Sequence, residues 1–381
     1  MYCKVSVVIP TYKEVKNIPH ITRAVSDALS AAAIDFEIIF VDDNSADGSE
    51  AAVEKLASNI PVRIIVRKNE RGLSTAVVCG IEQATGEFVV VMDADLSHPA
   101  DRIPEMINKL ESGQNDFIVG SRYIKGGSLD ESWGFFRRFN SLVATWLALP
   151  LAHIRDPMSG FFAFRRNNMP ETYRLSPIGY KIGLELVVKG EFKQPGEVAI
   201  HFVDRQYGES KLSWQEQVKY LRHLRRLYQF RFPFLSEFFQ FAFVGATGFV
   251  IDLSLYLAFQ SLFGIQHIFA RGLSFWGAVS WNWAWNRVLT FSNRKKTRKR
   301  IQWPAFVLTS LVGFAFNWGT YFILTKYVPF FQAHHILALI VGVLIGLGLN
   351  FTFARLLVFR PFEDEIHEDD SQAWSHPNNG K

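Results

Sequence analysis

"VVVMDADLSHP", Val89 to Pro99, decides how this chain is read. Its first four residues are apolar, as in a short buried strand, and two carboxylates follow one residue apart. The i, i+2 spacing puts Asp93 and Asp95 on one side if the strand continues. Like charges so placed repel unless something cationic lies between them, and a divalent cation with oxygen ligands is the economical answer. A hard metal held by one or two carboxylates completes its shell with substrate phosphates, which points to a nucleotide diphosphate. No Walker-type glycine loop is present, so a P-loop NTPase is excluded.

Outward from that run, the N-terminal half alternates short apolar runs with helical stretches. The strands expected are Lys4–Pro10, Phe36–Asp43, Val62–Lys68, Glu87–Asp93 and Asp116–Tyr123. This alternation predicts an α/β fold with a mostly parallel sheet, whose ligands bind beyond the carboxyl ends of the strands. The polar clusters "PTYKE", "VDDNSADGS", "MDADLSHP" and "GSRY" all fall at such ends. Asp42 and Asp43 close the second strand and support Asp93 and Asp95.

From Phe238 to Phe359 the chain is almost continuously apolar, and the aromatic excess, 35 Phe and 10 Trp, is concentrated there. Four bilayer-length segments are expected at 238–263, 267–291, 303–328 and 335–359, each near the ~20 residues a span requires. The second is interrupted by Arg271, Asn282, Asn286 and Arg287. Basic runs at Arg222–Arg231 and Asn293–Arg300 place the N-terminal half on the cytoplasmic side. Beside apolar spans these runs indicate anionic lipid rather than nucleic acid. The spans read as a duplicated pair: "GFVID" with Tyr256 in the first matches "GFAFN" with Tyr321 in the third. Asn282, Arg287 and Phe291 in the second match Asn350, Arg355 and Phe359 in the fourth. Asp252, inside a span, is either a lipid-headgroup or transport site, or a polar contact to Asn282, Asn317 or an Arg. Cys3 and Cys79 form no disulfide or metal pattern and are expected to be reduced; no signal peptide is expected before Lys4.

The motifs "VVIPTYKE", "VDDNSADGS", "RGLSTAV", "VVMDADLSHP", "GSRYIKGG", "DPMSGFFAFRR", "SPIGYKIGLELVVKG" and "YGESKLS" run in order from Val7 to Ser213. In these the N-terminal half resembles the inverting glycosyltransferase family 2, with a Rossmann-like GT-A fold. More narrowly, it resembles dolichyl-phosphate mannose synthases and bacterial polyprenyl-phosphate glycosyltransferases. The C-terminal half resembles the GtrA-like family of four-helix, all-α transmembrane domains. The resemblance implies a GT-A domain over 1–231 and a membrane domain over 232–360; the acidic tail over 361–381 reads as disordered.

The resemblance also implies roles. Pro10, Tyr12, Glu14 and Asp42, with Asp43 and Asp93, would bind the nucleotide. Asp93 and Asp95 would hold Mg2+ or Mn2+, with Ser97 standing where relatives often have a Gln that reaches the metal. Arg122, Arg137 or the adjacent Arg138, Ser141, Arg205 and Lys211 would bind the phosphate of a polyprenyl acceptor, Arg122 also serving catalysis. Asp156 and Ser159 would contact the donor sugar, Asp156 being alternatively a helix cap. His98 reads as structural.

Two segments, 132–154 and 213–230, read as amphipathic helices on the cytoplasmic leaflet rather than further spans. The expected reaction is metal-dependent, inverting transfer of a hexose to a polyprenyl phosphate, whose ionised oxygen needs no strong general base. GDP-mannose is the first expected donor and UDP-glucose the second. A processive synthase is disfavoured because no Gln-x-x-Arg-Trp motif precedes a span. A lipid-linked sugar flippase remains a second reading for the membrane half.

Overall fold

The computed structural model describes residues 3–130, 134–170, 175, 178–179, 181–190, 192–203, 214–294 and 297–360. The expected acceptor contacts Arg205 and Lys211 and the tail from 361 lie outside the described residues. The chain divides into two compact units, Met1–Arg231 and Phe232–Lys381.

The first unit is built on seven strands: β1 (Val5–Thr11), β2 (Phe36–Asp42), β3 (Val62–Val66), β4 (Phe88–Val91), β5 (Phe117–Ser121), β7 (Phe162–Arg165) and β8 (Pro195–Ala199). The remaining two, β6 (Ser128–Leu129) and β9 (His201–Phe202), pair with each other in parallel. The large sheet runs β3-β2-β1-β4-β7-β5-β8. Only β7 is antiparallel to its neighbours. Strands β1 and β4 are buried along their whole length, which is why they read as unbroken apolar runs. The strand order reverses between β1 and β4, so their carboxyl ends flank the crevice where such sheets take ligands.

Helices cover both faces of the sheet. On one side α1 (Ile18–Ala31) and α4 (Ile103–Glu111) bury Ile21, Val25, Ile103 and Ile107 against Val5, Val7, Ile38 and Val90. On the other, α3 (Leu73–Glu82) packs on β1 and β2. Contact is close enough there that a Cβ at Gly80 would overlap the Val8 side chain and touch Val41. Helices α2 (Ser49–Leu56), α5 (Phe135–Ala148), α6 (Ile182–Lys189) and α7 (Trp214–Arg231) complete the unit.

Helix α5 differs from the core helices. Phe135, Phe136, Phe139, Leu142, Val143 and Trp146 recur at helical spacing and are all exposed, Phe136 at 85% and Trp146 at 71%. Its other side is held to α7: Tyr220 and Tyr228 donate their hydroxyls to the Ala144 and Leu147 carbonyls at 2.6 and 2.8 Å. The two segments expected as amphipathic are therefore one hydrogen-bonded pair with an uncovered aromatic face.

The second unit consists of α8 (Pro233–Ser261), α9 (His267–Trp285), α10 (Lys299–Tyr327), the short α11 (Pro329–Ala333) and α12 (His335–Phe353). Among the described residues three helical segments are long and apolar enough to cross a membrane: 233–261, 299–327 and 335–358. The expected second span is helical but falls short of that standard, because Arg271, Asn282 and Asn286 lower its hydropathy. It packs along α8, as α12 packs along α10.

Equivalent residues of the repeat make equivalent contacts. Asn282 fills the space over Gly248, and Asn350 the space over Gly313, each so closely that a Cβ on the glycine would overlap the amide. Both α9 and α12 end in a five-residue π-helical stretch, Asn286–Thr290 and Ala354–Val358. The matched phenylalanines Phe291 and Phe359 stack on each other at 4.6 Å. Arg294 and Arg355 converge on Glu237, each with a contact of 2.7 Å. Arg287 donates to Gln302. Asp252 meets Arg271, so of its possible polar contacts the structure forms the arginine one, not those to Asn282 or Asn317.

Replacing Gly80 with Val forces branched carbon into the α3–β1 contact. Such overpacking costs about 1–3 kcal/mol. Thermal or denaturant unfolding of Gly80→Val should show that loss, with a smaller one for Gly80→Ala.

Candidate active site

The chain leaves β1, β2 and β4 through turns in which four non-glycine residues take left-handed φ: Lys13 (61°), Asn44 (56°), Ala46 (49°) and Leu96 (62°). Left-handed backbone costs an L-residue roughly 1–2 kcal/mol, and such conformations gather at functional sites. All four lie in the polar clusters at the sheet's carboxyl edge.

The first two turns are tied together by carboxylates. Buried Asp42 accepts the Ser45 N–H at 2.7 Å and the Ser45 hydroxyl at 2.5 Å, with Thr11 Oγ1 at 3.3 Å. The same Ser45 hydroxyl oxygen accepts the Lys13 N–H at 2.7 Å. Asp47 accepts from Val15 N–H and from Ser49. Burial alone would raise the Asp47 pKa, but the Ser49 and Val15 bonds outweigh it and hold it below the ordinary value. Pro10 is buried in β1, and Glu14 accepts from Asn17 at 2.6 Å. Tyr12 is 37% exposed, with the Lys13 and Arg71 cations over its ring at 5.4 and 5.6 Å.

Asp43, expected at the nucleotide, is engaged by the protein through both oxygens. Oδ1 accepts Arg67 Nε at 2.8 Å, and Oδ2 accepts the Gly72 N–H at 2.8 Å. Arg67 also donates to Thr75 Oγ1 and the Gly72 carbonyl, both at 2.9 Å. Asp43 therefore holds the turn that begins α3. Gly72, at φ 147°, belongs to that turn.

At the end of β4 the two carboxylates have different surroundings. The Asp93 side chain is about a third exposed, at 32%. Its backbone N–H donates to His98 Nδ1 at 3.0 Å, so His98 bears its proton on Nε2 when neutral. His98 stacks on Phe161 at 5.3 Å. Burial pushes its pKa down despite the opposing charges of Asp93 and Asp95. The ring is buried at this position. Asp95 is buried, and its Oδ1 accepts the Ser97 N–H at 3.1 Å and the Ser97 hydroxyl at 2.5 Å. Ser97, expected beside the metal, thus bonds the carboxylate it follows and orients Asp95.

Arg122 and Asp156 face each other. Arg122 Nε and Nη2 make a two-pronged contact with Asp156 at 2.7 and 2.8 Å, and the Arg122 N–H adds a third bond at 3.1 Å. Asp156 is fully buried, and such a carboxylate requires a paired cation. Burial lowers the Arg122 pKa, but Asp156 more than reverses this and raises it. Arg122 was expected at the acceptor phosphate and Asp156 at the donor sugar; here the two pair with each other and join β5 to the "DPMSG" loop. Ser159 accepts the Phe161 N–H at 3.2 Å within that loop. Gly160 brings the loop to Asp93, where a Cβ would lie 3.3 Å from Oδ2.

Ser141 shares a hydrogen bond with Tyr123 at 2.9 Å, linking α5 to the residue after Arg122. Arg137, four residues earlier on α5, is half-buried. Lys181, which precedes α6, was quoted in a motif but given no role by sequence reasoning. Its ammonium donates to the Met158 carbonyl at 2.8 Å. Its pKa falls to about 8, from burial first and the Arg122 charge second, against the pull of Asp156 and Asp93. Arg67, Ser45 and Asp47 were likewise missed; only the recurrence of Ser and Asp in "DDNSADGS" hinted at the last two.

The donor set suits a hard divalent cation. Asp93 and Asp95 offer carboxylate oxygens, and no group of three or more His, Cys, Asp or Glu occurs among the described residues. Asp93 and Asp95 would supply two ligands to such a cation, and oxygens of a bound substrate and water the others.

Residues 6–169 match the model of glycosyl transferase family 2, and residues 240–359 that of the GtrA/DPMS transmembrane domain. The chain is 35% identical over 356 residues to a dolichol-phosphate mannosyltransferase of Pyrococcus furiosus, covering 92% of this chain and 98% of that one. It is 43% identical to the enzyme of that name from Mycosarcoma maydis, over 60% of this chain and 80% of that one. The corresponding Saccharomyces cerevisiae protein is 41% identical, over 61% and 90%.

Two measurements test this geometry. Ser97→Ala removes the hydroxyl bond to Asp95 and keeps the backbone one, and losing such a supporting bond costs about 10–100-fold in metal affinity. A Mn2+ titration of the variant should move to correspondingly higher concentration. Lys181 carries charge below about pH 8 and loses it above. Affinity for a nucleotide diphosphate should therefore fall as pH rises through 8, and Lys181→Arg should flatten that dependence.

Proposed function

The chain belongs to glycosyltransferase family 2 and carries a GtrA/DPMS transmembrane domain, and from that premise we propose that it transfers a hexose, mannose foremost, from a nucleoside-diphosphate sugar to a polyprenyl phosphate at the cytoplasmic membrane face. The observation that carries the reading is a juxtaposition within the first unit. Asp42, Asp93 and Asp95 gather at the β1/β4 crevice, and the same unit exposes the aromatic face of α5. The first arrangement suits a charged, water-soluble donor; the second suits a bilayer surface that presents a lipid acceptor. The names of the relatives supply the acceptor and sugar classes.

In this reading Tyr12 stacks on the base and Asp42 helps shape the nucleotide pocket. Asp93 and Asp95 hold the cation, Mg2+ or Mn2+, which when bound neutralises charge on the departing diphosphate. An oxygen of the acceptor phosphate attacks the anomeric carbon as the bond to the diphosphate breaks on the opposite side, inverting the configuration. A phosphate monoester is already ionised near neutral pH, so no residue need take a proton from it. This agrees with His98, whose Nδ1 is occupied by a backbone N–H.

Arg122 supports the reaction by holding the "DPMSG" loop through Asp156. The acceptor charge is met by Arg137, with Arg205 and Lys211 as further candidates, and Lys181 meets the charge of the nucleotide diphosphate. Basic runs at both cytoplasm-facing ends of the spans support the orientation.

Asp95→Ala should reduce turnover at least 100-fold while leaving the unfolding midpoint nearly unchanged; near-normal turnover would remove the metal assignment. Purified protein offered GDP-mannose, UDP-glucose and other labelled donors with a polyprenyl phosphate should use GDP-mannose best. Preference for UDP-glucose would replace the sugar and keep the site. Phe136→Asp with Trp146→Asp should raise KM for long-chain acceptors in vesicles more than for short, water-soluble ones.

A further inference from the structure

Away from the carboxylates, the first unit has a cleft of about 580 Å3 between the end of α5, helix α6, strand β8 and the last turn of α7. Leu151, Val187 and Phe192 give it an apolar lining, and His153, Lys193 and Arg231 are its titratable groups. None of the described residues lining it is acidic. The one carboxylate on α6, Glu185, is buried and bonded to Lys189 at 2.6 Å, so it does not offset these cations.

The position of Arg231 locates the cleft. It ends α7, and Pro233 begins the 29-residue apolar helix α8. In sequence Arg231 thus stands two positions before an apolar helix, the kind of flank where Arg and Lys are enriched beside lipid phosphates. A cleft with an apolar wall and cations among its lining residues matches one class of ligand.

We propose that this cleft binds the headgroup of an anionic phospholipid of the cytoplasmic leaflet. Arg231 and Lys193 pair with the phosphodiester, and Leu151, Val187 and Phe192 take the glycerol and first acyl carbons. Such a lipid is a bound component of the membrane-seated enzyme and not its acceptor, because a phosphodiester lacks the dianionic terminal phosphate the transfer requires.

The test uses the full-length protein in nanodiscs of phosphatidylcholine with and without phosphatidylglycerol, reading retained lipid by native mass spectrometry. Wild type should retain phosphatidylglycerol in preference to phosphatidylcholine. Arg231→Gln with Lys193→Gln should cut that preference roughly tenfold or more, as loss of two cationic contacts at a membrane surface implies. Arg222→Gln with Arg226→Gln removes the same charge from positions of α7 that do not line the cleft and should leave the preference intact. Arg231→Lys with Lys193→Arg should restore it, which separates loss of the site from loss of the fold. Equal loss in both Gln pairs would reduce the effect to general attraction and overturn the proposal. Unchanged preference in the Arg231/Lys193 pair would overturn it too, as would displacement of the lipid by millimolar inorganic phosphate, which would make this a free-anion site.

Discussion

Ionised carboxylates must be kept at the rim of an otherwise apolar sheet, and much of the first unit answers to that constraint. A buried carboxylate without partners costs several kcal/mol. Each one here is answered differently. Asp42 takes the Ser45 turn, Asp43 takes Arg67, Asp95 takes Ser97, and Asp156 takes the Arg122 fork. Asp93 stays a third exposed beside Gly160. These partners fix the turns around the crevice, so the groups that stabilise the edge of the sheet also shape the site.

The second unit meets a related constraint with different means. Polar groups among apolar helices need partners from the same unit, and the repeat supplies them in matched positions. Asn282 and Asn350 sit over glycines, and Glu237 gathers Arg294 and Arg355 where the helices end. The polar residues that weaken α9 as a lipid-exposed span are among those that join it to α8.

Much of the site was legible in the sequence. Unbroken β-rich runs ending in Asp place those residues at strand ends because a parallel sheet aligns all its carboxyl edges. Hence Asp42, Asp93 and Asp95 arrive at one crevice from positions far apart in the chain. The partners were not legible. Arg122 and Asp156 each look like a ligand-binding residue when read alone. Their ion pair forms because β5 and the "DPMSG" loop meet in space, 34 residues apart in sequence. Lys181 is one lysine among many until the fold sets it against the Met158 carbonyl near Arg122.

The sequence by itself determined the alternation of strand and helix, the division into an α/β unit and an apolar helical unit, and the carboxylates at the sheet's edge. These follow from local periodicity and composition, which each stretch carries without its neighbours. Only the tertiary structure decided which charges neutralise each other, that Ser97 turns to Asp95, and that α5 keeps an aromatic face uncovered. Those outcomes depend on distances between distant parts of the chain, and burial changes the cost of a charge more than its identity does.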